Sequence, residues 1–256
     1  MRRSRLPAAV TVAVLAFLYL PILVLVVNSF NASRFGTTWQ GWSLVWYARL
    51  AAERDVWAAL RVTLVVAVAS TVVSLALGTT AALAIHRHAT RLQRVHSLLL
   101  SVPLVMPEIL MGVSLLLFFA ALGVPLGVLS IVLAHVTFSL SFVAMVVLGR
   151  LQGFEESLIE AARDLGAGPW TAARRVLLPA LAPGLVAGAL LAFTLSVDDF
   201  VITFFVAGPG ATTLPIRIYS MIKHGSPPVI SALSTLLLLV TFAAVAASQR
   251  LIERER

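Results

Sequence analysis

Apolar residues gather in six long runs, at about 7–28, 58–85, 97–122, 127–148, 183–206 and 229–249, and polar residues fill the stretches between them. About 20 consecutive apolar residues cross the ~30 Å hydrocarbon core of a bilayer. Inside lipid every backbone N–H and C=O must pair within its own segment, so each run predicts a membrane-spanning helix. The first run follows Arg2, Arg3 and Arg5, as a secretory signal core would, but it continues from Pro7 to about Val27. Signal cores are roughly 7–15 residues long, so this run reads as a retained first span.

The longest polar connection on the Arg-rich side, residues 149–182, has a helical pattern of its own. Leu158, Ala161, Ala162 and Leu165 fall at i, i+3, i+4 and i+7, which predicts one apolar helical face. Glu155, Glu156, Glu160, Arg163 and Asp164 lie largely off that face. Gly166 stands where a glycine ends a helix, and Pro169 suits the first turn of the next one. Pro179 is expected to interrupt that second helix, so the connection reads as two short helices joined at a glycine.

Composition agrees with the pattern and gives it a direction. Hydrophobic residues make up 60% of the chain and charged residues 12%, against roughly 45–50% and 25% in soluble domains. The net charge of +8 comes from 18 Arg and the single Lys223 against 11 acids. These bases do not form one stripe, which argues against a nucleic-acid partner. They alternate from connection to connection instead. Thirteen of them (Arg2, Arg3, Arg5, Arg87, Arg91, Arg94, Arg150, Arg163, Arg174, Arg175, Arg250, Arg254 and Arg256) fall on one side and six on the other. The positive-inside rule places the thirteen, and both termini, in the cytoplasm. The segments from about Ser29 to Trp57 and from Gly208 to Pro228 are then external. Trp39, Trp42, Trp46, Tyr47 and Trp57 concentrate in the first of these. They read as an interfacial belt, with a lateral helix gripping a partner as the alternative. The chain has no cysteine, which excludes disulfides, thiolate metal sites and cysteine nucleophiles.

The polar connection also carries a recognisable spacing. Glu160-Ala161-Ala162, three residues, Gly166, nine residues, Val176, one residue and Leu178-Pro179 resemble the EAA loop of bacterial ABC-importer permeases, with Val where Ile is usual. In that family the loop forms a coupling helix that docks on the ATPase subunit. The resemblance therefore implies ATPase-coupling roles for Glu160, Ala161, Ala162, Gly166, Val176, Leu178 and Pro179. A Walker A loop needs a lysine followed by Ser or Thr, and Lys223 precedes His224. ATP and magnesium would belong to a separate partner chain, and no cofactor or metal is expected in this one.

Three acids lie within the predicted spans, and acids there are functional candidates by default. Glu108 falls about eleven residues into the third span, ~17 Å along a straight helix. Pro103 and Pro107 precede it and predict a kink. Asp198 and Asp199 fall about fifteen residues into the fifth span, ~23 Å along. The three acids would line a cation pathway, or would pair with Arg61, Arg217 or a partner chain, or sit in the wet interface. Residues 190–210 and 214–235, with Pro107-Glu108-Ile109, resemble the spermidine/putrescine branch of these permeases, and its second membrane subunit in particular. That implies a polyamine substrate, with ferric iron, thiamine, aminoethylphosphonate or a similar solute as the alternative. Phe193, Phe200, Phe204, Phe205 and Tyr219 read as lipid-facing or packing residues.

Other chemistries fit less well. Ser114 and His135 on neighbouring spans sketch an intramembrane serine hydrolase, but one Gly-x-Ser is a weak signal. No internal repeat of the kind secondary transporters use is evident. The expected molecule is therefore an all-α integral membrane protein with six transmembrane helices and type I, EAA-loop importer architecture. It would comprise an N-terminal helix and external segment (1–57), the transmembrane domain with its coupling loop at about 150–182 (58–250), and a short cytoplasmic tail (251–256). It would be a transport subunit of the bacterial inner membrane and not an enzyme. Its expected partners are a second homologous permease subunit, an ATPase dimer, an extracytoplasmic substrate-binding protein and the lipid bilayer.

Overall fold

A computed structural model describes residues 6–34, 38–87, 91–225 and 227–254. Arg2, Arg3, Arg5 and Arg256 lie outside the described residues. The elements in chain order are α1 (Leu6–Asn28), α2 (Val45–Ala52), α3 (Arg54–Arg87), α4 (Arg91–Val105), α5 (Glu108–Ala121), α6 (Val128–Gln152), α7 (Ser157–Asp164), α8 (Pro169–Ala172), α9 (Leu178–Asp198), α10 (Val201–Val206), α11 (Leu214–Lys223) and α12 (Pro227–Arg254). A π-helical turn, Ala173–Leu177, joins α8 to α9. The described residues hold four helices long and apolar enough to cross a membrane, or five if the bent pair α4 and α5 counts as one span.

Two of the predicted spans are broken, and both breaks have local causes. Between α4 and α5 the chain bends by 112°. Pro107 has no N–H to continue the ladder, and its ring disfavours helical geometry at Met106. Its own backbone is extended, and its carbonyl accepts the first bonds of α5, from Leu110 and Met111. The ~17 Å placement of Glu108 assumed a continuous helix and therefore does not hold, because Glu108 opens a new helix in another direction. The fifth run also stops early. Asp199 is extended (φ −65°, ψ 123°), which ends α9 at Asp198 before α10 restarts.

The chain folds as two compact units. One comprises Ala58–Ile216. Its central helix is α6, whose apolar face packs with Val66, Met111, Phe119, Ile202 and Val206 around Ile131, Ala134 and Phe138. α9 lies along α6 through Gly184, Gly188, Ala192 and Ser196, all buried and four residues apart. Small residues at this spacing let two helices approach closely in a membrane, and Gly184 and Gly188 sit against Arg150 and Val143 of α6. The start of α6 is tied to the end of α10, where Ser130 Oγ donates to the Val206 carbonyl at 2.8 Å. Just beyond, a Cβ on Gly208 would overlap the Leu126 carbonyl, so only glycine permits this backbone contact.

The other unit comprises Met1–Trp57 and Arg217–Arg256. Its polar segment is a self-bonded loop. The Asn31 side chain accepts from the Ser33 and Gln40 N–H groups and donates to the Thr38 carbonyl. Trp46 is buried and donates its indole N–H to the Asn31 carbonyl at 2.8 Å. Trp39 and Trp42 stay exposed and meet edge to face, and a short helix, α2, follows them. Arg217 bonds Glu53 at 3.1 Å and Asp55 at 3.0 Å. That answers one expectation: Arg217 is engaged with these two acids rather than with Glu108, Asp198 or Asp199.

Candidate functional site: an acid-lined cleft and a polar loop

The two helix breaks meet. α5 and α10 pack on each other, and the breaks before them open a cleft of about 320 Å³. Glu108, Asp198 and Asp199 all line it, with Phe138, Phe142, Phe200, Met106, Met111 and Thr194. Acids 90 residues apart in sequence thus share one concavity within a single unit. Of the aromatics read from the sequence, Phe200 lines the cleft, whereas Phe205 packs on Gly112. Phe138 and Phe142 were not foreseen there, because α6 is apolar nearly all round and no face stands out.

The three acids differ in their surroundings. Glu108 and Asp198 are exposed to the cleft, and their carboxylates have no partner among the described residues. The Asp199 side chain is only 5% exposed. It accepts from the Thr203 N–H at 2.8 Å, the Thr203 hydroxyl at 2.6 Å and the Ile202 N–H at 3.3 Å. Those N–H groups belong to the first turn of α10 and lack intrahelical acceptors. Asp199 therefore caps the restarted helix, as a short acidic side chain does elsewhere.

Behind Asp199 lies a polar cluster that sequence reasoning missed. His135, 1% exposed, places Nδ1 2.7 Å from Ser196 Oγ and Nε2 2.9 Å from Thr203 Oγ1. Nε2 is also 3.3 Å from Asp199 Oδ2, and Ser70 of α3 donates to Ser196 at 3.2 Å. One signal was available. A lone histidine in an apolar run costs free energy unless bonded, and Ser196, Asp199 and Thr203 recur near helical spacing on another run. Both ring nitrogens are occupied, and Ser114 is exposed on α5 and takes no part in the cluster. The Ser114–His135 pairing that a hydrolase would need is not formed.

The polar loop presents a second surface. α7 ends in a Schellman turn: Gly166 N–H donates to the Arg163 carbonyl at 2.8 Å and Ala167 N–H to the Ala162 carbonyl at 3.0 Å. Gly166 has φ +85°, the left-handed geometry that this turn requires. No residue of α7 is buried. Leu158, Leu165 and Trp170 are exposed, Leu165 by 89%, so the predicted apolar face is left largely uncovered by the described residues. Glu160 and Ala161 lie exposed on the same short helix and Ala162 is half-buried. The Glu160 carboxylate has no partner among the described residues, while Glu156 stands 3.4 Å from His86 Nε2 at the end of α3.

The second half of the loop departs from expectation. Pro179 does not interrupt the helix, and Pro169–Asp198 runs as one long element. Its π turn holds Val176, and Leu178 and Pro179 follow in the first turn of α9. A proline ring clashes with the carbonyl four residues earlier, here Arg175, and the wider π turn displaces that carbonyl.

Residues 74–255 match the family described as "Binding-protein-dependent transport system inner membrane component". The chain is 43% identical over 244 residues to the spermidine/putrescine transport system permease protein PotC of Escherichia coli (strain K12), covering 95% of this chain and 92% of that protein. It is 43% identical over 229 residues to the putrescine transport system permease protein PotI of the same organism, covering 87% and 82%. Among solved structures, a chain of a bacterial ABC transporter that imports the acidic polysaccharide alginate superposes with a TM-score of 0.76, covering 98% of each chain at 16% identity. That last likeness is one of fold.

Proposed function

Since the chain belongs to the binding-protein-dependent transport system inner membrane components, a family of multi-pass transport subunits rather than enzymes, we propose that it is half of an ATP-driven importer pore for polyamines. The observation that carries the substrate is the pair of unpartnered carboxylates, Glu108 and Asp198, facing one cleft beside Phe138, Phe142 and Phe200. An extended polycation needs separate anions for its ammonium groups. Phenyl faces add cation–π attraction of about 0.5–2 kcal/mol each. Relatives named for spermidine and putrescine support the same reading.

Coupling runs through α7. A second, homologous permease subunit completes the pore, an ATPase dimer binds the nucleotide and magnesium, and a binding protein delivers substrate to the outer face. Glu160, Ala161 and the exposed Leu165 meet the ATPase, and Gly166 sets the angle of the helix that presents them. The bent pair and α12 bring the number of crossings to six, with both termini in the cytoplasm.

Cells lacking their own polyamine uptake, given this chain with the transport genes beside it, test the reading. They should accumulate radiolabelled spermidine or putrescine, and unlabelled polyamine should compete. Accumulation of an anionic or zwitterionic solute alone would contradict the polyamine reading.

A further inference from the structure

The buried cluster around His135 joins four elements with hydrogen bonds that run in one direction. Asp199 can only accept, so the Thr203 hydroxyl proton points to its carboxylate, at 2.6 Å. Thr203 Oγ1 has no second proton to give, so the 2.9 Å contact requires a proton on His135 Nε2. Nδ1 is then free to accept from Ser196 at 2.7 Å, and Ser70 Oγ lies 3.2 Å from both Ser196 Oγ and the Ala67 carbonyl. The cluster thus links α3, α6, α9 and α10 at the point where α9 breaks, one residue past Asp198.

The same helices lead to the coupling loop. α6 runs unbroken from His135 to Gln152, about 26 Å, and α7 follows within five residues. On the return, Pro169–Asp198 is one long element ending at the break. Near the loop the two legs are tied by Arg150 Nε donating to the Ala180 carbonyl at 3.2 Å, and Gly184 packs on the Arg150 stem. At the far end, beside the apolar packing of Phe138 and Ile202 and the Ser130 bond to the Val206 carbonyl, His135 ties α6 directly to the break through Ser196 and Asp199. Packed side chains, hydrogen-bond networks and rigid helices are what carry coupling between distant sites.

We propose that His135 is a positioning residue of transport: it fastens α6 to the break, so that displacement of α7 reorients Asp198 in the cleft. This rests on the coupling reading given above. His135→Phe should therefore uncouple the importer. ATP hydrolysis would continue within about twofold of wild type, while spermidine transported per ATP falls at least tenfold and the KM for spermidine changes less than threefold. His135→Gln, whose amide reaches the Nε2 position, should restore a third or more of the ratio.

A second readout needs no substrate. The chain has no cysteine, so Thr194→Cys gives it a single thiol in the cleft, whose labelling is read on this chain's own band after the assembled complex is treated. Its labelling by a soluble maleimide should change at least fivefold between nucleotide-free and vanadate-trapped complex, and less than twofold with His135→Phe added. A full change retained in His135→Phe, or no change in the His135-containing complex, would overturn the proposal. Absence of spermidine uptake together with the expected labelling would overturn the polyamine reading and leave this one standing.

Discussion

Adjacent aspartates in one apolar run have different tasks. Asp198 is exposed in the cleft without a partner among the described residues, whereas Asp199 is 5% exposed and accepts three bonds from α10. On the proposed function, Asp198→Asn removes a charge that would meet substrate. It should raise the KM for spermidine about tenfold, roughly 1.4 kcal/mol, and leave the melting temperature in detergent nearly unchanged. Asp199→Asn turns donors of its own toward the donors of Thr203. It should lower stability by about 1–3 kcal/mol, seen as a reduced melting temperature. Equal effects of the two substitutions on KM and melting would contradict the division. The sequence singles out both acids, since carboxylates in apolar runs are rare. It does not separate them, because what distinguishes them is which one caps the restarted helix α10 and meets His135 of α6.

At the scale of elements, two glycines make opposite predictions. A Cβ on Gly166 meets nothing within 4 Å, so Gly166→Val costs only its left-handed backbone, about 1–2 kcal/mol. The variant should reach the membrane in normal amount and lose most uptake, because α7 then ends at another angle. A Cβ on Gly208 would meet the Leu126 backbone, so Gly208→Val should fail to accumulate as folded protein. Quantitative immunoblotting of membranes, with uptake alongside, checks both. Gly166 was legible because a C-terminal glycine stop is a local signal, and its two bonds appear as expected. The breaks were only half legible. Pro107 announces a kink, yet the 112° bend depends on α5 finding α10, a contact between residues far apart in the chain. Pro179 misled for the complementary reason, since a π turn just upstream relieves its clash and no local residue marks that turn.

For the whole molecule, the apolar runs became helices, but their number of crossings is a separate matter. Among the described residues four helices are long and apolar enough, with the bent pair as a fifth, and the last has a shorter apolar stretch, Pro228–Ala243. The proposed orientation rests on arginine placement and is open to direct test. Cysteine at Thr38 should react with an impermeant maleimide on intact cells, whereas cysteine at Thr171 should react only after permeabilisation. The reverse pattern would invert the topology and remove α7 from the cytoplasm.

Coupling of a polyamine pathway to a separate ATPase through α7 is best tested by one assay. The chain would be reconstituted in proteoliposomes with its permease, ATPase and binding-protein partners, and ATP hydrolysis followed as spermidine is added. Several-fold stimulation by spermidine-loaded binding protein, abolished by Glu160→Lys while the mutant chain stays in the membrane, is the predicted result. Stimulation that persists undiminished in Glu160→Lys, or that answers only to an anionic solute, would contradict it.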